Sequence, residues 1–461
     1  MINTKNNNPQ LMQERMAATI MANVRNREYI LPAVRRDDWY SRKAIIENDT
    51  QLTVEELKEI QEFWEPYAFA YKNKPETQRV FSRISGRFDP SYIGFGLMRY
   101  ILRNWYSHSS YVLIAHKNYT GRIFPFVKKP QSIVYYSFGC YYNRDFLPIA
   151  QADAIEIVYD TLQNHQFKEL ILKPAGWVGE GKNILFLNKT FSKEQIENII
   201  KGFRMDFIVE EVIVNHKSLR IVHPPSLQTF RVVTLVWKNQ VKFVGAVMRM
   251  GIEKRVDNIS RGGIGVEVKE DGHLGDFGTT YFGTRYYAHP TTGFVFADKQ
   301  IFNFDKVVET AKLMHSTIMQ QKYVSWDFTI DEKGDPVFIE INLPGGTEVL
   351  QTLGINSLIN KDIAREILDE TLRVRFFKEG ANQEYDYREF FDHISLVRYY
   401  PPHGEDLQVV VPKSINKKPV KAIYKDTFCS KNITQITIPS GIRVDQAEFS
   451  MCSPNCVINI T

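Results

Sequence analysis

Runs of aromatic and β-branched residues, separated by short polar turns, divide much of the chain into strands. Between them stand segments whose apolar residues recur at helical spacing. The clearest run is YVSWDFTIDEKGDPVFIEIN, residues 323–342. It predicts two strands, 323–330 and 335–342, joined by the turn Asp331-Glu332-Lys333-Gly334 into a hairpin. With the turn centred near Lys333 and Gly334, Asp327 falls opposite Glu340, and Asn342 shares the face of Glu340. The flanking Phe328, Val337, Phe338, Ile339 and Ile341 are apolar, so the strands are expected to be buried.

Elsewhere the pattern is read in chain order. Residues 9–26 predict a helix, and 35–40 form an irregular aromatic and basic stretch. Thr53 and Glu56 have the spacing of a capping box ahead of VEELKEIQEFWEPY. An apolar segment, 92–105, follows Asp89-Pro90. Strand-like runs come next: SYVLIAHKN ending near Asn118, RIFPFV, and SIVYYSFGCYY. A helix over 152–165 leads to the strand FKELILKP, the glycine-bearing loop 176–182 and a second strand, NILFL. Ser192 and Gln195 cap the helix SKEQIENIIKGF, and DFIVEEVIVNH reads as a strand. Two long strands, PPSLQTFRVVTLVW and VKFVGAVMRMG, precede a loop holding Asp257-Asn258 and Gly262-Gly263. A helix over 305–321, the hairpin, the loop at Gly345-Gly346, a helix over 360–378 and a linker-like EYDYREFFD complete this part. In the last seventy residues the spacing from Ile423 to Phe428 matches that from Val444 to Phe449, and Ile436 and Val457 each fall eight residues after those Phe residues. Two units make a short repeat.

A chain of 461 residues exceeds one ordinary core, so two to four domains are expected. A net charge of +5 suits a small anionic ligand such as a nucleotide and is too diffuse to imply nucleic-acid binding. Cys140, Cys429, Cys452 and Cys456 form no CxxC pair, which fits a reducing cytoplasm. No run of eighteen apolar residues occurs, so neither secretion nor membrane spanning is expected.

The candidate chemistry centres on the hairpin. Two buried carboxylates and an amide on one face are costly without a cation. Mg²⁺ takes such oxygen ligands and completes its shell with water and phosphate, whereas a surface hairpin facing water needs no ligand at all. Lys173, at a strand end, enters the loop containing Gly176, Gly179, Gly181 and Lys182, where backbone N–H groups and cations suit phosphates. The loop fits GxxxxGK, but Asn183 stands where a P-loop has Ser or Thr and a strand follows instead of a helix. It is therefore read as a hairpin tip: a phosphate lid or an ordinary turn. Glu210 and Glu211 interrupt an apolar strand, as an adenine-pairing edge or as solvent-facing charges. Arg231 and Arg249 lie in successive apolar strands, where a buried guanidinium needs an anionic partner. Lys117, at the end of an expected strand, is by itself more often a solvated surface charge.

From about Asp89 to Arg375 the chain resembles the ATP-grasp superfamily, and most closely its sugar-transfer-associated branch. The resemblance rests on AHKN, LILKPAGWVGEGKN, EEVIVNH, PPSLQTFRVVTL, VDNISRGGIG, HPTTG and SWDFTIDEKGDPVFIEIN in that order. It implies an α+β fold with two lobes around an ATP cleft, over 89–378 with a lid near 166–225. A helical segment, 1–88, precedes it; a linker, 379–389, and a small β-rich domain, 390–461, follow. By resemblance Lys117 and Lys173 contact ATP phosphates, and Glu210, Glu211, Val212 and Ile213 line the adenine hinge. Asp327, Glu340 and Asn342 bind Mg²⁺, and Arg231 stabilises a phosphate or intermediate. His116 and Gln228 depart from the family's frequent Asp and Asn. The implied reaction joins a carboxylate to an amine through an acyl phosphate, with Arg249 also facing the transferring phosphoryl. The substrates expected are an amino acid or peptide as donor and an amino sugar or amino acid as acceptor. A phosphotransferase and a nucleotide-binding scaffold are the alternatives. The tail resembles leucine-rich repeats of the surface-antigen type, a surface for a peptide or protein partner or a packing element.

Overall fold

The computed structural model describes residues 51–105, 113–164, 167–176, 183–253, 259, 262–281, 283–343, 348–402, 406–444, 449, 452 and 454–461. The expected helix at 9–26, Gly179, Gly181, Lys182, Asp257-Asn258 and Gly345-Gly346 lie outside them. The chain divides into two compact units, one of residues 1–57 with 75–361 and one of 58–74 with 362–461.

Two antiparallel sheets build the larger unit. The first has six strands: β1 Ser132–Ser137, β2 Cys140–Asn143, β3 Pro148–Ile149, β4 Glu169–Pro174, β5 Leu185–Asn188 and β6 Phe207–Glu211, in the order β3-β2-β1-β6-β4-β5. Its inner face meets the helices Gln151–Gln163 and Lys193–Gly202 in a core that includes Val134, Val158, Leu170, Leu172, Ile196 and Phe207. The second helix starts where its sequence says it should: Ser192 Oγ accepts from Gln195 N–H, and the Gln195 side chain accepts from Ser192 N–H. Thr53 and Glu56 form the same reciprocal pair ahead of the helix Val54–Trp64.

The second sheet has seven strands: β7 Thr229–Trp237, β8 Gln240–Met250, β9 Ile264–Val268, β10 Leu274–Thr279, β11 Arg285–Tyr286, β12 Tyr323–Ile330 and β13 Pro336–Asn342, ordered β11-β10-β9-β8-β7-β12-β13. The helix Phe304–Ser316 covers one face through Val307, Val308, Ala311 and Met314, which pack among Phe230, Val232, Met248, Trp326 and Phe328. One polar chain crosses this core. Trp326 Nε1–H donates to Thr234 Oγ1 at 2.7 Å, that hydroxyl meets His315 Nδ1 at 2.7 Å, and His315 Nε2–H donates to the Gln321 carbonyl at 2.6 Å. Burial is satisfied only by neutral imidazole, and it pushes the His315 pKa down to about 4.

The local pattern misread several segments. Where a strand was expected to end near Asn118, Lys117–Ile123 is a helix with His116 at its N-cap. It is fixed from outside: Lys117 N–H donates to the Ala175 carbonyl, and the Asn118 amide donates to the Tyr136 carbonyl. RIFPFV closes that helix and turns at Phe124–Val127 instead of forming a strand. The helix expected over 305–321 ends at Ser316, and that expected over 360–378 runs only from Lys361 to Leu368, continuing as wider π turns over Asp369–Val374.

In the smaller unit, the stretch expected as a linker carries strands. β14 Lys378–Ala381, β15 Tyr385–Glu389, β16 Ile394–Tyr399, β18 Ser414–Ile415 and β19 Lys418–Ile423 make one sheet; β17 Leu407–Val410, β20 Ile433–Ile438 and β21 Val457–Ile460 make a parallel one. Tyr385 and Tyr387 are buried, which explains the aromatic residues of that stretch. Phe428 stacks on Phe449 with centroids 6.0 Å apart. The ladder pairs Ile436 with Ile458, one residue beyond the expected Val457. The same unit takes up the 58–74 segment: Tyr67 donates to the Arg365 carbonyl at 3.2 Å, and Phe69 meets Phe376 and Phe391 edge-on.

His315 gives a signed pH effect. The unfolded chain protonates this group near 6.5 and the folded chain near 4, so its contribution is complete above pH 6.5 and is lost as pH falls towards 4. Urea unfolding between those values should show stability dropping by about 3 kcal/mol from this group. In a His315→Gln variant that part of the slope should vanish.

Candidate active site

The hairpin register places Asp327 opposite Glu340 and Ser325 opposite Asn342, and on its other side β12 sets Asp327 opposite Arg231 of β7. One row across the sheet therefore carries Arg231, Asp327 and Glu340 on a single face. Arg249 comes from β8, paired with Thr229.

Asp327 is fully buried. Arg231 grips it with two bonds, Nε to Oδ1 at 2.9 Å and Nη2 to Oδ2 at 2.8 Å. Arg249 Nη2 lies 3.0 Å from Oδ2, and the Asn342 amide donates to the same oxygen at 3.0 Å. Arg249 is steadied in turn by Thr229, whose hydroxyl accepts from its Nε and Nη2 at 3.0 and 2.8 Å. The anionic partner required by two arginines in apolar strands is thus Asp327.

Glu340 stands beside this cluster with Oε2 on Lys117 Nζ at 3.0 Å and Oε1 only 3.4 Å from the Asn342 amide. Burial raises its pKa. The Lys117 ammonium, assisted by Lys173 and Arg231, outweighs burial and holds Glu340 well below the usual carboxylate range. It is ionised at any physiological pH.

The second group lies on the six-stranded sheet. Lys173 and Glu210 are both buried and form a close ion pair. The expected solvent-facing alternative for Glu210 is therefore excluded. Glu211 has another job: its Oε1 accepts from Gln131 N–H at 2.8 Å while its own N–H donates to the Gln131 carbonyl at 3.0 Å. Val212 and Ile213, half-buried, run on from β6 towards the second sheet. Gly176 is described and has open space around it.

Sequence reasoning missed two things here. His116 Nε2 meets the Asp206 carboxylate at 3.2 Å, that carboxylate also accepts from the Ser137 hydroxyl and from Phe138 N–H, and the Asp206 backbone carbonyl accepts from Ala175 N–H, so this residue joins the end of β4 to the helix bearing Lys117. Lys129, from the segment before β1, is half-buried within electrostatic reach of Lys173 and Glu210; the doubled lysine of VKKP was its only signal.

Three protein cations, Lys117, Arg231 and Arg249, meet two carboxylates, Asp327 and Glu340. Burial of Asp327 therefore does not by itself demand a divalent cation, since the two arginines already offset its charge. Two carboxylates and an amide remain a donor set that Mg²⁺ accepts. Glu340 Oε1 has lone pairs to spare, whereas Asp327 Oδ2 already carries Arg231, Arg249 and Asn342. Among the described residues no group of three or more His, Cys, Asp or Glu side chains gathers to hold a metal, so most of such a shell would be water and phosphate.

Because Asp327 is the common partner, its charge matters more than either arginine. Asp327→Asn removes the carboxylate that both guanidiniums share and should cost about 3–5 kcal/mol in urea unfolding of the ligand-free protein. Arg231→Met leaves Arg249 and Asn342 on the carboxylate and should cost clearly less.

No relative is found among curated proteins. Among solved structures, the chain is similar to D-alanyl-alanine synthetase A from Vibrio cholerae at 11% identity, over 56% of this chain and 65% of that one, with a TM-score of 0.35. It is similar to an L-amino acid ligase from Bacillus licheniformis at 12% identity, over 68% and 66%, with a TM-score of 0.31. For VanG D-Ala:D-Ser ligase from Enterococcus faecalis the figures are 10%, 56%, 61% and 0.34. The chain thus spans less than two thirds of the length of each of these. The sequence itself is more specific: residues 179–366, which include β5 to β13 and therefore Glu210, Arg231, Arg249, Asp327, Glu340 and Asn342, match the family described as sugar-transfer associated ATP-grasp.

Proposed function

We propose that the protein is an ATP- and Mg²⁺-dependent ligase that joins a carboxylate to an amine. The observation that carries this reading is the arginine-held Asp327 beside ionised Glu340 and Lys117, a cluster with more positive than negative charge on one face of the sheet. Such a surplus suits the phosphates of a nucleotide. In the first step a carboxylate oxygen attacks the γ-phosphorus of ATP and the bond to the β–γ bridging oxygen breaks, giving an acyl phosphate and ADP. In the second step the amine attacks the acyl carbon, phosphate leaves, and the nitrogen loses a proton as the amide forms.

The chain's residues divide the work. Lys117 and Lys173 bind phosphate oxygens, and Glu210 to Ile213 line the adenine side. Arg231 and Arg249 face the transferring phosphoryl, stabilising its charge. Fixed by Asp327 and Thr229, they need little reorganisation. Bound Mg²⁺, held by Glu340 and Asn342, would neutralise phosphate charge. Donor and acceptor are read as an amino acid or peptide and an amino sugar or amino acid.

ADP release from Mg²⁺-ATP, with and without pooled amino acids, peptides and amino sugars, tests the reading. Release should be stimulated by a donor and acceptor together and fall by about a hundredfold or more in Glu340→Gln. Mass spectrometry should find an amide and free phosphate. A phosphate ester instead assigns a phosphotransferase, and ATP binding without turnover in any pool favours a scaffold.

A further inference from the structure

Adjacent lysines of the segment before β1 are treated differently by the fold. Lys128 is exposed and bridges Asp331 and Asp335 in the hairpin turn. Lys129 is half-buried, and its ammonium has no ion-pair or hydrogen-bond partner among the described residues. Burial pushes its pKa down; Glu210 opposes this and Lys173 adds to it. The ammonium thus lies within electrostatic reach of the Lys173–Glu210 pair, which is already neutral in itself.

Its position is built. The Lys128 carbonyl accepts from Phe338 N–H of β13 at 2.9 Å, and Gln131 exchanges two bonds with Glu211 at the end of β6. The backbone of Lys129 is therefore held between the two sheets. Its Nζ occupies the space where a side chain at Gly121 would begin. Gly121 sits inside the helix Lys117–Ile123, where glycine costs about 1 kcal/mol relative to alanine. The fold thus bears two costs at one point, a helix glycine and a desolvated charge, and among the described residues the ammonium gains no ion pair or hydrogen bond in return.

We propose that Lys129 is a third phosphate-binding lysine of the cleft beside Lys117 and Lys173, its ammonium left uncompensated by the protein so that a nucleotide phosphate oxygen becomes its partner. This rests on the nucleotide reading above and adds to it a residue outside the 179–366 match. The phosphate supplies the anion that the fold withholds. Removing the charge should then help the empty protein and harm the loaded one.

The test compares wild type with Lys129→Met by thermal melting and by direct titration with Mg²⁺-ATP and with adenosine. Without ligand the variant should melt at the wild-type temperature or above it. Its ATP affinity should fall about tenfold or more, as for loss of a hydrogen bond to a charged group, while adenosine affinity stays within about twofold. Unchanged ATP affinity in the variant, a lowered melting temperature without ligand, or equal losses for ATP and adenosine would each overturn the assignment. A wild type that itself fails to bind ATP would instead defeat the nucleotide reading.

Discussion

Asp327 is the point on which the larger unit turns. A carboxylate with no solvent exposure is tolerated only because two guanidiniums and an amide converge on it, and those three groups come from β7, β8 and β13. The ion cluster therefore fastens the centre of the seven-stranded sheet as well as arranging charge on its face. Its geometry follows from register. A slip of β12 by one residue would turn Asp327 into the apolar core and bring Trp326 or Phe328 to the charged face. The polar chain from Trp326 through Thr234 to His315 locks the same register from the opposite side. Charge on one face and a hydrogen-bonded core on the other specify a single alignment.

This double fastening also explains which features were legible in the sequence. The hairpin was readable because its turn, its alternation and its carboxylates all lie within twenty residues, so no distant contact had to be guessed. The capping boxes at Thr53 and Ser192 are equally local. The Lys117 segment was not readable as a helix, because SYVLIAHKN has a strand-like composition and the bonds that hold the helix come from Ala175 and Tyr136, far along the chain. EYDYREFFD looked like a linker because its buried tyrosines alternate with charges. That alternation is what a half-buried strand shows, and β15 is one.

At the candidate site the residues themselves were visible, but their pairing was not. Sequence spacing placed Asp327 and Glu340 together, yet it gave no means of knowing that Arg231 and Arg249 both spend bonds on Asp327. That pairing depends on β7 lying beside β12, a neighbour relation between strands almost a hundred residues apart. The same limit hid the bonds between Glu211 and Gln131. A carboxylate that looked available for a ligand is engaged by backbone, and Glu210 beside it is buried in an ion pair with Lys173.

The smaller unit is assembled from pieces that leave the ribosome far apart in time. Tyr67 and its partner Arg365 are separated by 298 positions. At about 5–20 residues per second, the 58–74 segment waits roughly 15–60 s before its partners are synthesised. The intervening larger unit has both of its sheets available within that interval. Tyr67 and Phe69, whose partners Arg365, Phe376 and Phe391 come only at its end, spend it without them. The discontinuous unit thus makes the order of synthesis an order of risk, with its exposed aromatic segment the part of the nascent chain most in need of temporary shelter.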